Sequence, residues 1–191
     1  MSDSRKIFLT FDDGPSQPYT EEILNILDRH NSKATFFVSG KNVERLPAVV
    51  KNIYDRGHSI GNHAYSHNRW RSYTGALQEE INSTQIAIKR ASGQFPSLFR
   101  PPYGVMPFWS GLKIKDQGLK TVLWDIKVYD WLKLPPEFMV HRIIEKIFPG
   151  AVVLLHDGEG VKEKCNRSNT VKVVDQLLTI LKPQGWEFEK L

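Results

Sequence analysis

Short apolar runs and amphipathic stretches take turns along the whole chain. Residues 6–12 read as a strand, with Ile7, Phe8 and Leu9 in an apolar run, and 17–29 as an amphipathic helix with Ile23, Leu24, Ile26 and Leu27 on one side. A second strand over 34–38 leads to a helix over 43–55 that Gly57 stops. A short strand then runs through Ile60 to His63, and a helix over 74–91 carries Leu77, Ile81, Thr84 and Ile88 at helical spacing. Phe99 and Arg100 begin a strand that ends at Pro101-Pro102; a helix around 108–116 and a strand over 119–125 follow. Pro135-Pro136 open a helix through Ile147, 151–155 is an apolar strand, 170–181 is a helix stopped by Pro183 and Gly185, and 186–188 is a last strand. About seven strand–helix alternations argue for parallel strands with helices packed outside, and the simplest arrangement is an α/β fold forming a distorted, closed or nearly closed (β/α) barrel. No repeat, low-complexity tract or linker divides the chain, so a single domain over 1–191 is expected. The longest irregular segments, 62–73, 101–109, 127–134 and 156–169, all follow strands, which in a parallel barrel is the rim where catalytic groups collect.

Composition narrows the class. The 191 residues, 40% hydrophobic and 25% charged, suit a globular chain rather than a disordered one. No apolar stretch reaches the ~20 residues of a membrane span. An excess of 26 Lys and Arg over 21 Asp and Glu gives a formal charge of +5, which mildly favours polyanions as neighbours. The basic residues form no run of five, so a nucleic-acid partner has no support. The single Cys165 excludes an internal disulfide and a Cys-rich zinc site, so any metal must be held by His and carboxylates. No signal peptide precedes the first strand; the expected location is cytoplasmic if Met1 is the native start, and the cell envelope or outside if a leader has been removed.

Five segments carry candidate chemistry. In Thr10-Phe11-Asp12-Asp13-Gly14-Pro15, adjacent carboxylates share a site only if the strand ends there and Gly14-Pro15 turns the backbone; one then holds a metal while the other stays free as a base. An ordinary turn with a helix N-cap is the plain alternative. His63 and His67 lie four apart, so that one helical turn would put both imidazoles on one face. With Asp13 they make a three-ligand set that leaves a position for water, as in catalytic zinc sites, although the donors also suit iron, cobalt or nickel. The stiff Arg100-Pro101-Pro102-Tyr103-Gly104 segment suits placing a guanidinium that pairs with Asp12 and a Tyr103 N–H that faces an oxyanion. His156 follows an apolar strand; with Asp130 as its carboxylate partner it becomes a proton donor near neutral pH. Trp131, with Leu154 or Leu155, would wall a small apolar pocket, although plain packing fits these residues as well.

In order and approximate spacing, TFDDGP, HAYSH, RPPYG, the DW of VYDW, and LLHDG resemble the motifs of the polysaccharide deacetylases, the NodB-like domain of carbohydrate esterase family 4. The resemblance runs from Ile7 to Phe188. It implies a distorted (β/α) barrel and metal-dependent removal of N-acetyl, less often O-acetyl, groups from carbohydrate. By position it implies Asp12 as catalytic base and Asp13, His63 and His67 as ligands of one divalent ion, zinc first and cobalt, nickel or iron as alternatives. Arg100 would orient Asp12, Tyr103 would offer its N–H to the oxyanion, Asp130 would tune His156, and His156 would be the general acid. Trp131, Leu154 and Tyr103 would touch the substrate, with Trp70, Tyr73 and Trp109 further stacking candidates on the rim. The expected partner is a carbohydrate polymer or oligomer, N-acetylglucosamine polymers first and acetylxylan or another C–N amide substrate as alternatives. Lys127 departs from the pattern, standing where many members carry an Asp three residues before the Asp-Trp pair. A catalytically silent carbohydrate-binding domain is the rival from another class; it predicts a broken ligand set or a missing acid or base.

Overall fold

The computed structural model describes residues 5–73, 76–107 and 109–191. The predicted helix starts at 74 and 108, and the side chain of Tyr73, lie outside the described residues. Among the described residues, eight strands form one parallel sheet: β1 (Lys6–Gly14), β2 (Thr35–Val38), β3 (Ser59–Asn62), β4 (Leu98–Phe99), β5 (Lys120–Thr121), β6 (Ile126–Lys127), β7 (Val152–His156) and β8 (Glu187–Phe188). The order is β5-β4-β3-β2-β1-β7-β6, with β8 against the first residues of β1. Packed around this curled sheet are α1 (Tyr19–Arg29), α2 (Gly40–Arg45), α3 (Pro47–Asp55), α4 (Arg69–Tyr73), α5 (Leu77–Ser92), α6 (Ser110–Asp116), α7 (Pro136–Ile144) and α8 (Ser168–Leu181). The distorted (β/α) barrel expected from the alternation is the architecture found.

Two predicted elements differ. The helix over 43–55 is two helices, α2 and α3, because Pro47 opens α3 and drives Leu46 out of the helical region, to φ −129°. Within the strand expected over 119–125 only β5 is extended, and β6, which begins just past its end, lies at the opposite end of the sheet. Residues 122–125 between them cross the seam. The Val122 N–H bonds the Phe99 carbonyl of β4, whereas the Asp125 N–H bonds the Val152 carbonyl of β7. The carbonyls of Val122 and Leu123 accept from the Arg100 side chain. A guanidinium therefore supplies bonds that a strand ladder would supply in a closed barrel.

The core follows the predicted periodicities. Ile23, Leu24, Ile26 and Leu27 of α1 pack with Phe11, Phe36, Val153 and Leu155 of the strands and with Val173, Val174, Leu177 and Leu178 of α8. A smaller apolar cluster joins Leu77 and Ile81 of α5 to Ala64, Phe99, Ile114 and Leu119. β1 is the axis, paired to β2, β7 and β8. Its register puts Asp12 opposite His156, so two of the candidate residues are brought together by backbone pairing alone. No helix among the described residues is long and apolar enough to cross a membrane.

Candidate active site and metal centre

Asp12 and Asp13 both face one cleft because the β1–β2 register slips between Asp12 and Gly14, and Asp13 takes a left-handed φ of 74°. That bulge defeats the alternation that would send neighbouring side chains to opposite faces. The turn is held from several sides. The Asn42 amide donates to the Asp13 carbonyl at 2.7 Å, the Gly160 N–H donates to Asp13 Oδ2 at 2.8 Å, and the Asp157 N–H donates to the Asp12 carbonyl at 3.2 Å.

The two histidines reach Asp13 by a route other than the predicted helical turn. His63 follows the end of β3, and the loop from 63 to 67 is irregular, with positive φ at Ala64 (61°) and His67 (51°). Glu80 of α5 fixes this loop: its Oε2 accepts from the Tyr65 N–H at 3.1 Å, the Ser66 N–H at 2.6 Å and the Ser66 hydroxyl at 2.9 Å. His63 Nε2 then lies 3.4 Å, and His67 Nε2 3.0 Å, from Asp13 Oδ1. One ligand atom from each of the three residues falls within 4.8 Å of the others. His63 Nδ1 meets the Arg100 carbonyl at 2.7 Å, which leaves Nε2 to face the centre.

These residues fit a divalent cation. Asp13 Oδ1 is buried and has no hydrogen-bond partner among the described residues. Burial pushes the Asp13 carboxyl up, but the adjacent His63 and His67 imidazoles outweigh it and hold the group well below the usual carboxylate range. Burial pushes His63 down, and Asp12 and Asp13 overcome that and raise it. The Asp13 carboxylate thus stays ionised and draws positive charge into the space it shares with the two imidazoles.

Arg100 is wholly buried, and its guanidinium stacks 4.1 Å from the centre of the Phe37 ring. Nη1 donates to Asp12 Oδ1 at 2.8 Å and to the Thr10 hydroxyl at 2.7 Å. Across the cleft, His156 Nδ1 and Asp130 Oδ1 are 2.8 Å apart, while Asp130 Oδ2 accepts from the His156 N–H at 2.7 Å and the Thr170 hydroxyl at 2.9 Å. Burial pushes the imidazole down, yet Asp130 more than compensates and lifts it to about 9; the Asp130 carboxyl, itself pushed up by burial, is held low by the same partnership. The Trp131 ring stands edge-on to His156 at 5.2 Å.

The cleft, about 710 Å³, is lined by Asp12, Asp13, His67, Tyr103, Trp131 and His156 among others, and Leu154 forms part of its wall. Tyr103 has a φ of 62°, and its ring lies 4.7 Å from that of His67. Trp70 and Trp109 are exposed but do not line this cleft. Sequence reasoning missed Thr10, Thr170 and Asn42, which touch the candidate residues only through the fold, and Glu80, which holds the loop between His63 and His67. It also passed over Asp157, although that residue adjoins His156. Asp157 accepts from the Thr20 hydroxyl at 2.6 Å, and burial raises its carboxyl to about 7. A side chain on Gly14 would meet it, since a Cβ there would lie 2.1 Å from Asp157 Oδ2.

Fold and site together define a class: a parallel α/β barrel whose strand ends gather an Asp-His-His group able to hold a cation, an arginine-held carboxylate and a carboxylate-held histidine. The polysaccharide deacetylase family matches residues 2–122, and the chain belongs to that family. It is 35% identical, over 97% of its own length, to a peptidoglycan-N-acetylglucosamine deacetylase of Bacillus cereus, of which it spans 66%. It is also 35% identical to the peptidoglycan-N-acetylglucosamine deacetylase PgdA of Listeria monocytogenes, of which it spans 38%. Among solved structures, a peptidoglycan N-acetylglucosamine deacetylase in complex with a hydroxamate-type naphthyl benzamide superposes with a TM-score of 0.91, at 32% identity, over 99% of this chain and 87% of the other.

Proposed function

We propose that the protein is a metal-dependent hydrolase that removes N-acetyl groups from N-acetylglucosamine-containing glycans. The observation that carries this reading is the pairing of opposites across one cleft: Asp12 held by Arg100 on one side, and His156 held by Asp130 on the other, with Asp13, His63 and His67 between the strand ends. Amide hydrolysis needs a base for the attacking water and an acid for the departing amine. The relatives named above, and the intact set of acids and imidazoles, support this reading over a silent binding domain.

In this reading Asp13, His63 and His67 hold the ion, zinc first, and when bound it supplies Lewis-acid polarisation of the carbonyl and acidifies water. Asp12 accepts a proton from water; the Arg100 contact holds its carboxylate aimed into the cleft. The Tyr103 N–H, presented by a left-handed turn, faces the developing oxyanion. His156 Nε2 gives its proton to the sugar nitrogen as the C–N bond breaks, so acetate and a free amine leave. Trp131 and Leu154 wall the space for the acetyl methyl and the sugar ring.

The test is acetate release from N-acetylglucosamine oligomers by chelator-stripped protein, before and after zinc, cobalt or nickel is added back. Release that depends on added metal is expected. Metal binding without release from these oligomers, but with release from acetylxylan, would move the substrate to an O-acetyl ester; no metal binding and no release would return the binding-domain reading.

A further inference from the structure

We propose that the substrate carries a carboxylate on the N-acetylated sugar or on the sugar next to it, and that Lys127 and Lys133 read that charge. The inference rests on the deacetylase reading and names the substrate class more closely. Ile126 and Lys127 are neighbours on β6, so with Ile126 buried in the core the alternation of the strand turns Lys127 toward the cleft, which it lines. Lys127 Nζ lies 4.8 Å from the centre of the Tyr129 ring and 5.7 Å from that of Trp131. Trp131 in turn stands against His156. The ammonium is therefore on the side of the cleft where the proposed proton donor meets the sugar nitrogen.

Lys133 lines the same cleft, and so does Arg167, a buried residue whose Nε donates to the Gly158 carbonyl at 2.7 Å. None of these three cations is in an ion pair with a carboxylate among the described residues. The acids of the site, by contrast, are all engaged: Asp12 with Arg100, Asp13 with His63 and His67, Asp130 with His156, and Glu159 with Lys162. The space open to substrate thus faces surplus positive charge inside a concave wall, where fields are focused rather than screened. A neutral glycan leaves these cations to water. A carboxylate beside the scissile amide would meet them, and the aromatic faces of Tyr129 and Trp131 hold Lys127 ready for it.

The experiment compares acetate release by the metal-loaded protein from three tetrasaccharides. Chitotetraose is neutral. The alternating N-acetylglucosamine–N-acetylmuramic acid tetrasaccharide puts carboxylates on lactyl ethers of N-acetylated rings, and the hyaluronan tetrasaccharide puts them on neighbouring uronic acids. At low salt, kcat/KM for one charged substrate is expected to exceed that for chitotetraose by about tenfold, mainly through KM, and added salt should shrink the advantage. Lys127→Gln and Lys133→Gln should each cut the charged-to-neutral ratio by about threefold or more. Equal kcat/KM on all three substrates would overturn the inference while leaving the deacetylase reading in place, as would a charged-substrate advantage that survives both substitutions. Release from none of them would overturn both together.

Discussion

At the scale of single residues, burial decides how much each charge matters. Arg100 is fully buried and bonds Asp12, Thr10 and two carbonyls, so a change at Asp12 has separable effects. Asp12→Asn keeps an oxygen that accepts from the guanidinium but removes the proposed base and the countercharge; acetate release should fall by about 100-fold or more, with a smaller loss of stability than alanine causes. Asp12→Ala leaves a buried cation without its carboxylate and should lose about 3–5 kcal/mol in urea unfolding as well. The His156–Asp130 pair gives a pH signature in metal-free protein. His156 is raised from 6.5 to about 9, so its contribution to stability is complete below about pH 6.5 and is lost as the pH rises through about 9. Asp130 is lowered, so its contribution is present above the ordinary carboxylate range and is lost in acid. Thermal unfolding of chelator-treated protein should therefore show stability declining toward about pH 9, and Asp130→Asn should flatten that decline.

At the scale of elements, helices aim loops that carry the chemistry. α5 places Leu77 and Ile81 in the smaller core cluster and Ala87 and Ile88 in the main one, and from that anchored position Glu80 receives two backbone N–H groups and a hydroxyl of the loop between His63 and His67. The loop has two left-handed residues, and this carboxylate fixes its path together with the Gly40 and Lys41 N–H groups, which donate to the carbonyls of Ala64 and Tyr65. Glu80→Ala should weaken metal binding by about 10- to 100-fold, as loss of outer-shell support typically does, and calorimetric titration with zinc would measure it. A change confined to thermal stability, with zinc affinity unaltered, would show that the loop is held by other contacts. The crossing at 122–125 follows the same logic, since Arg100 bonds the carbonyls left without strand partners.

At the scale of the whole molecule, the proposed cation site draws on distant parts of the chain. Asp13 comes from the first strand and the histidines from the third strand's end, so the three approach one another only in the folded barrel. Binding to the folded state alone stabilises it by an amount that grows with the logarithm of free metal, about 2.7 kcal/mol at a hundredfold excess over Kd. Zinc added to stripped protein should therefore raise the melting temperature in a concentration-dependent way. His63→Ala, which removes one donor, should abolish most of that rise.

Periodicity and punctuation in the sequence determined the alternation of strands and helices, and hence the parallel barrel. Five short motifs identified the groups that gather on its rim, because their residue types are what metal binding and proton transfer require. Tertiary structure decided what local pattern does not encode. The bulge at Asp13 turns adjacent carboxylates into one cleft. An irregular loop held by Glu80, rather than a helical turn, brings His63 and His67 together. The strand expected over 119–125 gives way to a seam because Arg100, some twenty residues earlier, bonds its carbonyls. Thr10, Thr170 and Asn42 carry no sequence signal of their role, since each acts through a hydrogen bond whose partner is named only by the fold.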